Sequence, residues 1–362
     1  MNVTTAVVRE TRAREGVLRL GPVSGRVPWR ACVVCLVGVV LAGLVAAVSI
    51  GAGDFAISIP DVLRVLTGGG DPGQQFVVRD LRLPRVAVGL LVGASLAMSG
   101  ALTQTFARNP LASPDILGVT EGAAVGAVSI IVLSGATGTL ASTASGLGIP
   151  LAALVGALLT SAAIYLLAWR GGIDGQRLVL VGIGVGAVLS AGTSWLLVRA
   201  HVWDAAAATV WLTGSLSSRG WEQAEPLAWT LLVLGPAALV ATRTLRALQL
   251  GDDPARSLGV RLQLAQLCTL VIAVCLAAVA VSTAGPIEFV AFVVPQVALR
   301  LVGGSRPPLL ASAIYGALLV VASDLVARVV LPTELPVGLV TSAVGAPYLI
   351  WLLLRTNRKA TA

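Results

Sequence analysis

The sequence is poor in charged residues and in the residue types that catalysis and nucleotide hydrolysis most often use. Only 12% of its 362 residues are charged, and it contains one histidine and one lysine, Lys359. A P-loop needs a lysine directly after its glycine-rich turn, so this chain carries no ATPase motif of that kind and any ATP must be hydrolysed by another chain. It also lacks a histidine-rich metal motif, a nucleophile paired with a base, and paired acids at a useful spacing. We therefore expect neither an enzyme nor a bound metal or cofactor.

Cysteine is scarce, and its placement does not indicate disulfides. The four cysteines lie within apolar runs, at Cys32, Cys35, Cys268 and Cys275. Small, soft side chains of this kind pack in apolar surroundings at little cost. Cys32 and Cys35 have CxxC spacing, but no second thiol pair and no histidine lies near them in the sequence. We interpret all four as packing residues.

Apolar residues make up most of the chain. The sequence is 56% hydrophobic with a mean hydropathy of +0.91, which is typical of a polytopic membrane protein and not of a soluble domain. The formal net charge of +8 would suggest nucleic-acid binding in a soluble protein. Here basic loops are explained by membrane orientation, so we expect contact with lipid and none with nucleic acid.

Ten apolar runs predict an all-α protein with about ten transmembrane helices. About twenty consecutive apolar residues are needed to span a bilayer as a helix. Residues 122–169 are too long for one span, and a Gly/Ser/Thr-rich stretch at 134–148 divides them into two. The other eight runs are 31–50, 86–107, 178–198, 227–242, 262–287, 289–299, 307–323 and 335–354. The shortest of them, 289–299, requires a short or tilted span.

Charge at the two ends predicts the orientation. Residues 1–30 form a tail with six arginines, and a basic tail at 356–362 follows the transmembrane domain at 31–355. The positive-inside rule places both tails in the cytoplasm, which requires an even number of spans. Residues 243–261 then form a charged cytoplasmic segment, with the pattern of a short surface helix. Seven of the 25 basic residues fall outside: Arg64, Arg79, Arg82, Arg85, Arg199, Arg219 and Arg328.

A polar corner follows the second span. Residues 108–115, RNPLASPD, contain two prolines that stop a helix. Gly118, Gly122 and Gly126 follow at a spacing that places all three on one helix face, where glycine allows close approach between helices. We therefore predict two closely packed membrane helices joined at this corner.

Three of the predicted outer arginines, Arg82, Arg85 and Arg328, lie at helix ends. Their guanidinium groups can bind carboxylates of a partner protein or can extend to lipid headgroups, and spacing alone leaves both possibilities open. Asp324 lies four residues before Arg328 and can form a helical ion pair with it.

Glu121 and Glu288 are carboxylates at or within predicted spans. An ionisable group at membrane depth is a functional hypothesis by default. We favour interfacial placement or hydrogen bonding to neighbouring helices, and only these two residues hint at an ion-coupled secondary transporter.

The chain resembles the FecCD family, whose members are permease subunits of ABC importers for iron-siderophores, haem and vitamin B12. The resemblance covers nearly all of the chain after the N-terminal tail. It rests on RLPR at 82–85, SGALTQTFARNPLASPDILGV at 99–119, WLTGSL at 211–216, LGDDPARSLGV at 250–260, GPIEFVAFVVPQVALRLVGG at 285–304, ASDLVAR at 322–328, ELPVGLVTSAVGAP at 334–347 and WLLLR at 351–355.

The resemblance implies the ten-helix, BtuC-like fold of a type II ABC importer permease. It also implies a second permease subunit, two cytoplasmic ATPase subunits and an extracytoplasmic siderophore-binding protein. The function expected is import of a ferric siderophore across the bacterial cytoplasmic membrane. Import of cobalamin or haem by the same machinery is the alternative, and an ion-coupled secondary transporter is a more distant one.

The same resemblance implies roles for individual residues. Arg82, Arg85 and Arg328 match positions that dock the binding protein. The LGDDPARSLGV segment matches the region that couples to the ATPase, through Asp252, Asp253, Arg256, Leu258 and Gly259.

A path along the fifth span and the pairing of permeases are further expectations. Ser190, Thr193 and Ser194 either line the translocation path or bond neighbouring helices. Many family members carry Pro-His where this chain has Pro295-Gln296, and a glycine where it has Ala291. The glutamine form resembles the members that assemble with an unlike permease, so we expect a heterodimer.

Overall fold

The computed structural model describes residues 15–20, 23–53, 55–134, 148–170, 172, 175–248, 257, 261–304, 307–330 and 334–360. Thirteen α-helices are present in this part of the chain. They are α1 (Trp29–Gly51), α2 (Ile59–Leu66), α3 (Pro72–Gln75), α4 (Leu83–Ala107), α5 (Val119–Ser134), α6 (Ile149–Ala168), α7 (Gly175–Arg199), α8 (Val202–Leu212), α9 (Trp221–Leu248), α10 (Leu262–Ala284), α11 (Val290–Val302), α12 (Leu309–Val329) and α13 (Val337–Ala360).

The ten predicted spans correspond to α1, α4–α7 and α9–α13, which confirms the predicted all-α membrane fold. Among the described residues, seven helices are long and apolar enough to cross a bilayer, and α5, α11 and α13 contain shorter apolar stretches. The sixth span, predicted as residues 227–242, is longer in the structure because α9 continues at both ends.

Helical structure also occurs outside the ten predicted spans. The amphiphilic segment before the second span contains α2, α3 and a π-helical turn, Phe76–Arg82, that leads directly into α4. Ser58 caps α2 by accepting a hydrogen bond from the Asp61 backbone N–H at 3.3 Å. The short helix α8 lies between the fifth and sixth predicted spans.

Part of the N-terminal tail is a β-hairpin. Strands β1 (Glu15–Leu20) and β2 (Val23–Pro28) pair antiparallel, with Glu15 opposite Pro28 and Leu20 opposite Val23. Helix α1 begins directly after β2. The sequence analysis predicted only a basic tail here, and its cytoplasmic location stays a prediction.

Helix α4 is the central helix of the bundle. In its most apolar window 83% of the residues are buried, compared with 6% for α1. Glycines allow the neighbouring backbones to approach it. A Cβ on Gly93 would overlap the backbone of Gly316 in α12, and one on Gly100 would overlap the carbonyl of Ala291 in α11. Close backbone contact of this kind replaces the hydrophobic drive that helices lack in lipid.

The glycine face of α5 packs against α6 and not against α4. Gly122 lies against Gly156 and Thr160, and Gly126 lies against Ala152. Gly118 has a φ of +71°, which glycine adopts without strain, and it ends the 3₁₀ turn Pro114–Leu117. The prediction that the two helices flanking the corner pack closely on each other is therefore wrong. The close packing is real, but the partner is the next helix along the chain.

Helix α11 is held by a buried amide pair. Pro295 lies inside the helix and removes one backbone donor. Gln296 donates from Nε2 to Oε1 of Gln104 at 2.7 Å, and Gln104 donates from Nε2 to the carbonyl of Phe292 at 2.9 Å. Gln296 thus joins α11 to α4.

Candidate functional site

Three helix ends meet where Arg82, Arg85 and Arg328 lie. Arg82 and Arg85 lie at the start of α4, on either side of Pro84. Proline is tolerated in the first turn of a helix, because the backbone N–H groups there have no partner within the helix. Arg328 stands in the last turn of α12, and the end of α1 completes the site. We call Arg82, Arg85, Arg328, Asp324 and Glu334 the arginine cluster.

Arg82 binds the main chain at the end of α1. Its Nη1 donates to the carbonyls of Ile50 at 2.7 Å and Gly51 at 3.2 Å, and its Nη2 donates to the carbonyl of Phe55 at 2.7 Å. The carbonyls at a helix C-terminus lack partners within the helix, and a guanidinium group satisfies them. Arg82 therefore caps α1.

Asp324 is shared by the other two arginines. Its Oδ1 accepts from Nε and Nη2 of Arg85 at 3.1 and 2.8 Å, and its Oδ2 accepts from Nε of Arg328 at 3.1 Å. The structure thus contains the i,i+4 pair that the spacing of Asp324 and Arg328 predicts. The Asp324 side chain is only 3% exposed, so its charge is compensated by these two guanidinium groups. Arg328 also donates to Oγ of Ser49 at 2.6 Å.

Glu334, which the sequence analysis did not single out, is the second acid of the cluster. Its Oε1 lies 2.7 Å from Nη2 of Arg85 and accepts from Oγ of Ser217 at 3.0 Å. Burial raises the pKa of Glu334, but the hydrogen bond and charge of Arg85, with help from Ser217 and Arg328, bring this pKa below its usual value. In the sequence, the one feature that pointed to Glu334 was its position at the start of the ELPVGLVTSAVGAP motif.

A second charged site is a cavity of about 300 Å³ lined by Asp115, Glu121 and Glu288. The three carboxylates come from the 3₁₀ turn, from α5 and from the segment before α11, and Asp115 and Glu288 are close enough to Glu121 to interact electrostatically. Asp115 accepts hydrogen bonds from Ser113 and Thr120, and Glu288 accepts one from Ser342. No basic side chain lines this cavity among the described residues. We call it the carboxylate cavity.

The three predicted path residues do not share one environment. Ser190 and Ser194 lie one turn apart on an exposed face of α7, where Ser194 donates to the Ser190 carbonyl at 3.0 Å. Thr193 is buried and donates to the carbonyl of Leu189 at 3.1 Å. The two serines are therefore exposed on the helix surface and Thr193 is not, and a role of all three in the path stays a prediction.

The predicted ATPase-coupling residues lie outside the described residues. These are Asp252, Asp253, Arg256, Leu258 and Gly259. The structure describes the helices on either side, since α9 ends at Leu248 and α10 begins at Leu262.

Comparison with known proteins identifies relatives over most of the chain. Residues 35–355 match the FecCD transport family. The chain is 41% identical to the ferric enterobactin transport system permease protein FepG of Escherichia coli, covering 85% of this chain and 91% of that one. It is also 41% identical to the achromobactin transport system permease protein CbrC of Dickeya dadantii, covering 87% and 89% of the two chains.

A solved structure has the same fold. It is described as an inward-facing conformation of a metal-chelate type ABC transporter, and it shares 28% sequence identity with this chain. The superposition covers 90% of this chain and 99% of that one, with a TM-score of 0.78.

Proposed function

Because the chain belongs to the FecCD transport family, we propose that it is the permease subunit of an ATP-driven importer of ferric siderophores. The observation that carries this proposal is 41% identity, over 309 residues, to a permease of ferric enterobactin transport. A permease performs no chemistry on its substrate. Its task is to open alternately to the two sides of the membrane, here the bacterial cytoplasmic membrane.

The energy for this motion comes from other subunits in the proposed assembly. The sequence contains no P-loop lysine, so two ATPase subunits would act from the cytoplasm on the segment at 243–261. Asp252, Asp253, Arg256, Leu258 and Gly259 would carry that contact. Basic residues at both ends of the chain favour a cytoplasmic position for both termini.

In this orientation the arginine cluster faces the extracytoplasmic side. An acidic surface of the siderophore-binding protein would dock there, on Arg82, Arg85 and Arg328, because guanidinium groups bind carboxylates through paired, charge-assisted hydrogen bonds. A second permease, unlike this one, would complete the path. The exposed face of α7 that carries Ser190 and Ser194 is available for that contact.

Import of cobalamin is the second candidate. It is favoured by 39% identity over 282 residues to the cobalamin import system permease protein BtuC of Halobacterium salinarum. The uptake experiment must therefore include both substrate classes.

The test is uptake of radiolabelled ferric siderophores and of labelled cobalamin by a deletion strain that carries the intact gene, an Arg85→Glu variant or an Arg64→Glu variant. Arg64 is the matched control, because its side chain is 68% exposed and pairs only locally with Asp61. Uptake is normalised to the amount of each variant in the membrane. We expect Arg85→Glu to abolish normalised ferric siderophore uptake and Arg64→Glu to retain it. Uptake of cobalamin alone would assign the second function, and uptake that continues after ATP depletion would overturn the importer proposal.

A further inference from the structure

We propose that Glu334 is an internal competitor for the binding protein: its carboxylate occupies Arg85 until a carboxylate of the binding protein replaces it. The inference rests on the proposed docking of an acidic surface at the arginine cluster. It assigns the exchange to one of the three arginines and gives a role to an acid that the family comparison does not describe.

Arg85 has one fixed and one exchangeable acidic partner. Asp324 is 3% exposed and is bonded by two guanidinium groups, so it cannot leave without exposing or unpairing charge. Glu334 is 49% exposed and lies in the non-helical segment directly before α13. An incoming carboxylate therefore displaces Glu334 far more readily than Asp324.

Arg82 and Arg328 donate hydrogen bonds to groups that are fixed at the end of α1 and in the residues after it. Arg82 donates to three backbone carbonyls, and Arg328 donates to the carbonyl and hydroxyl of Ser49. Releasing these groups would take away the guanidinium partners of the Ser49 and Ile50 carbonyls in the last turn of α1. At Arg85, by contrast, one carboxylate replaces another, and the largely buried guanidinium group stays paired throughout.

The competition has a measurable consequence. The docking site is available only in the fraction of molecules in which Glu334 has left Arg85, and the apparent affinity falls by that fraction. If Glu334 occupies Arg85 about nine-tenths of the time, removing its charge tightens docking about tenfold. Glu334→Gln keeps the shape of the side chain and an oxygen that can accept from Ser217, so the local fold is preserved.

The experiment uses the complete importer, with its ATPase subunits, in lipid nanodiscs. The Kd of its purified binding protein is measured for the wild type, Glu334→Gln and the control Glu222→Gln. Glu222 is an exposed carboxylate at the same end of the bundle, in the first turn of α9 beside Trp221, whose Nε1 donates to the Arg79 carbonyl. We expect Glu334→Gln to lower the Kd by about three- to tenfold and Glu222→Gln to leave it unchanged.

An unchanged or higher Kd for Glu334→Gln overturns the inference, since Glu334 would then be absent from the site or would organise it for docking. Arg85→Gln separates this failure from failure of the docking proposal. If Arg85→Gln weakens binding and Glu334→Gln does not tighten it, docking at Arg85 stands and only the competition fails. If Arg85→Gln binds as tightly as the wild type, both fail. In the Arg85→Gln background, Glu334→Gln should lose its effect.

Discussion

The arginine cluster and the carboxylate cavity differ in how their charges are compensated. In the cluster, the guanidinium groups of Arg85 and Arg328 share Asp324, and Arg85 also pairs with Glu334. In the cavity, three carboxylates face one another. Hydroxyl groups donate to Asp115 and Glu288, and no basic side chain lies in the described lining. A carboxylate charge therefore stabilises the fold in the arginine cluster and destabilises it in the carboxylate cavity. Removing a carboxylate should have opposite effects on stability at the two sites.

Asp324→Asn should give the largest effect on stability. It removes the carboxylate that Arg85 and Arg328 share, and it leaves two largely buried guanidinium groups, 15% and 12% exposed, with insufficient negative charge. Breaking a buried ion pair on one side costs about 3–5 kcal/mol. We expect a clear fall in the apparent Tm of the detergent-solubilised protein and a lower yield from membranes.

Asp61→Asn is the control for this substitution. Asp61 also pairs with a nearby arginine, Arg64, at 3.3 Å, but the Arg64 side chain is 68% exposed and that of Asp61 is 35% exposed. A pair of this kind contributes less than about 1 kcal/mol. Equal losses for Asp324→Asn and Asp61→Asn would show that the cluster is no more than a set of surface ion pairs.

Sequence distance explains why only part of the cluster was predictable. Asp324 and Arg328 are four residues apart on one helix, so helical geometry alone brings them together. Arg85 is 239 residues from Asp324, and its bond depends on how α4 packs against α12. Glu334 lies in a short segment with no periodic pattern, so neither spacing nor propensity indicates its partner.

The sequence likewise predicted the helices but not which helices pack together. Apolar runs predicted all ten spans because bilayer thickness sets a length that composition reveals directly. Gly122 and Gly126 form a face of close approach on α5, as their spacing predicted, whereas Gly118 lies before the helix in the turn. The spacing did not indicate the partner, because small residues permit close contact with any neighbour and packing selected α6.

The double substitution Glu121→Gln with Glu288→Gln should have a smaller effect of opposite sign. It removes like charges that repel one another across the carboxylate cavity. We expect the apparent Tm to stay the same or rise, by an amount equivalent to at most about 1 kcal/mol.

Measuring the same double variant at high and low salt tests the cause, since screening weakens repulsion between accessible charges. The rise in apparent Tm of the double variant over the wild type should become smaller as the salt concentration increases. A loss of stability like that of Asp324→Asn would indicate that these acids hold the fold together, and the contrast between the two regions would then fail.

Glu334→Gln should have the smallest effect on stability, and this effect should depend on pH. The pKa of Glu334 is lowered in the fold, since the hydrogen bond and charge of Arg85 outweigh the effect of burial. A carboxyl group with a lowered pKa stabilises the fold above its usual pKa, and the contribution is lost as pH falls through the lowered one. Because the side chain is half exposed, the contribution is less than about 1 kcal/mol at pH 7. The apparent Tm values of wild type and variant should therefore differ slightly at pH 7 and converge in acid. A difference that grows in acid would mean that Glu334 is protonated in the fold, in which case it could not compete for Arg85 as an anion.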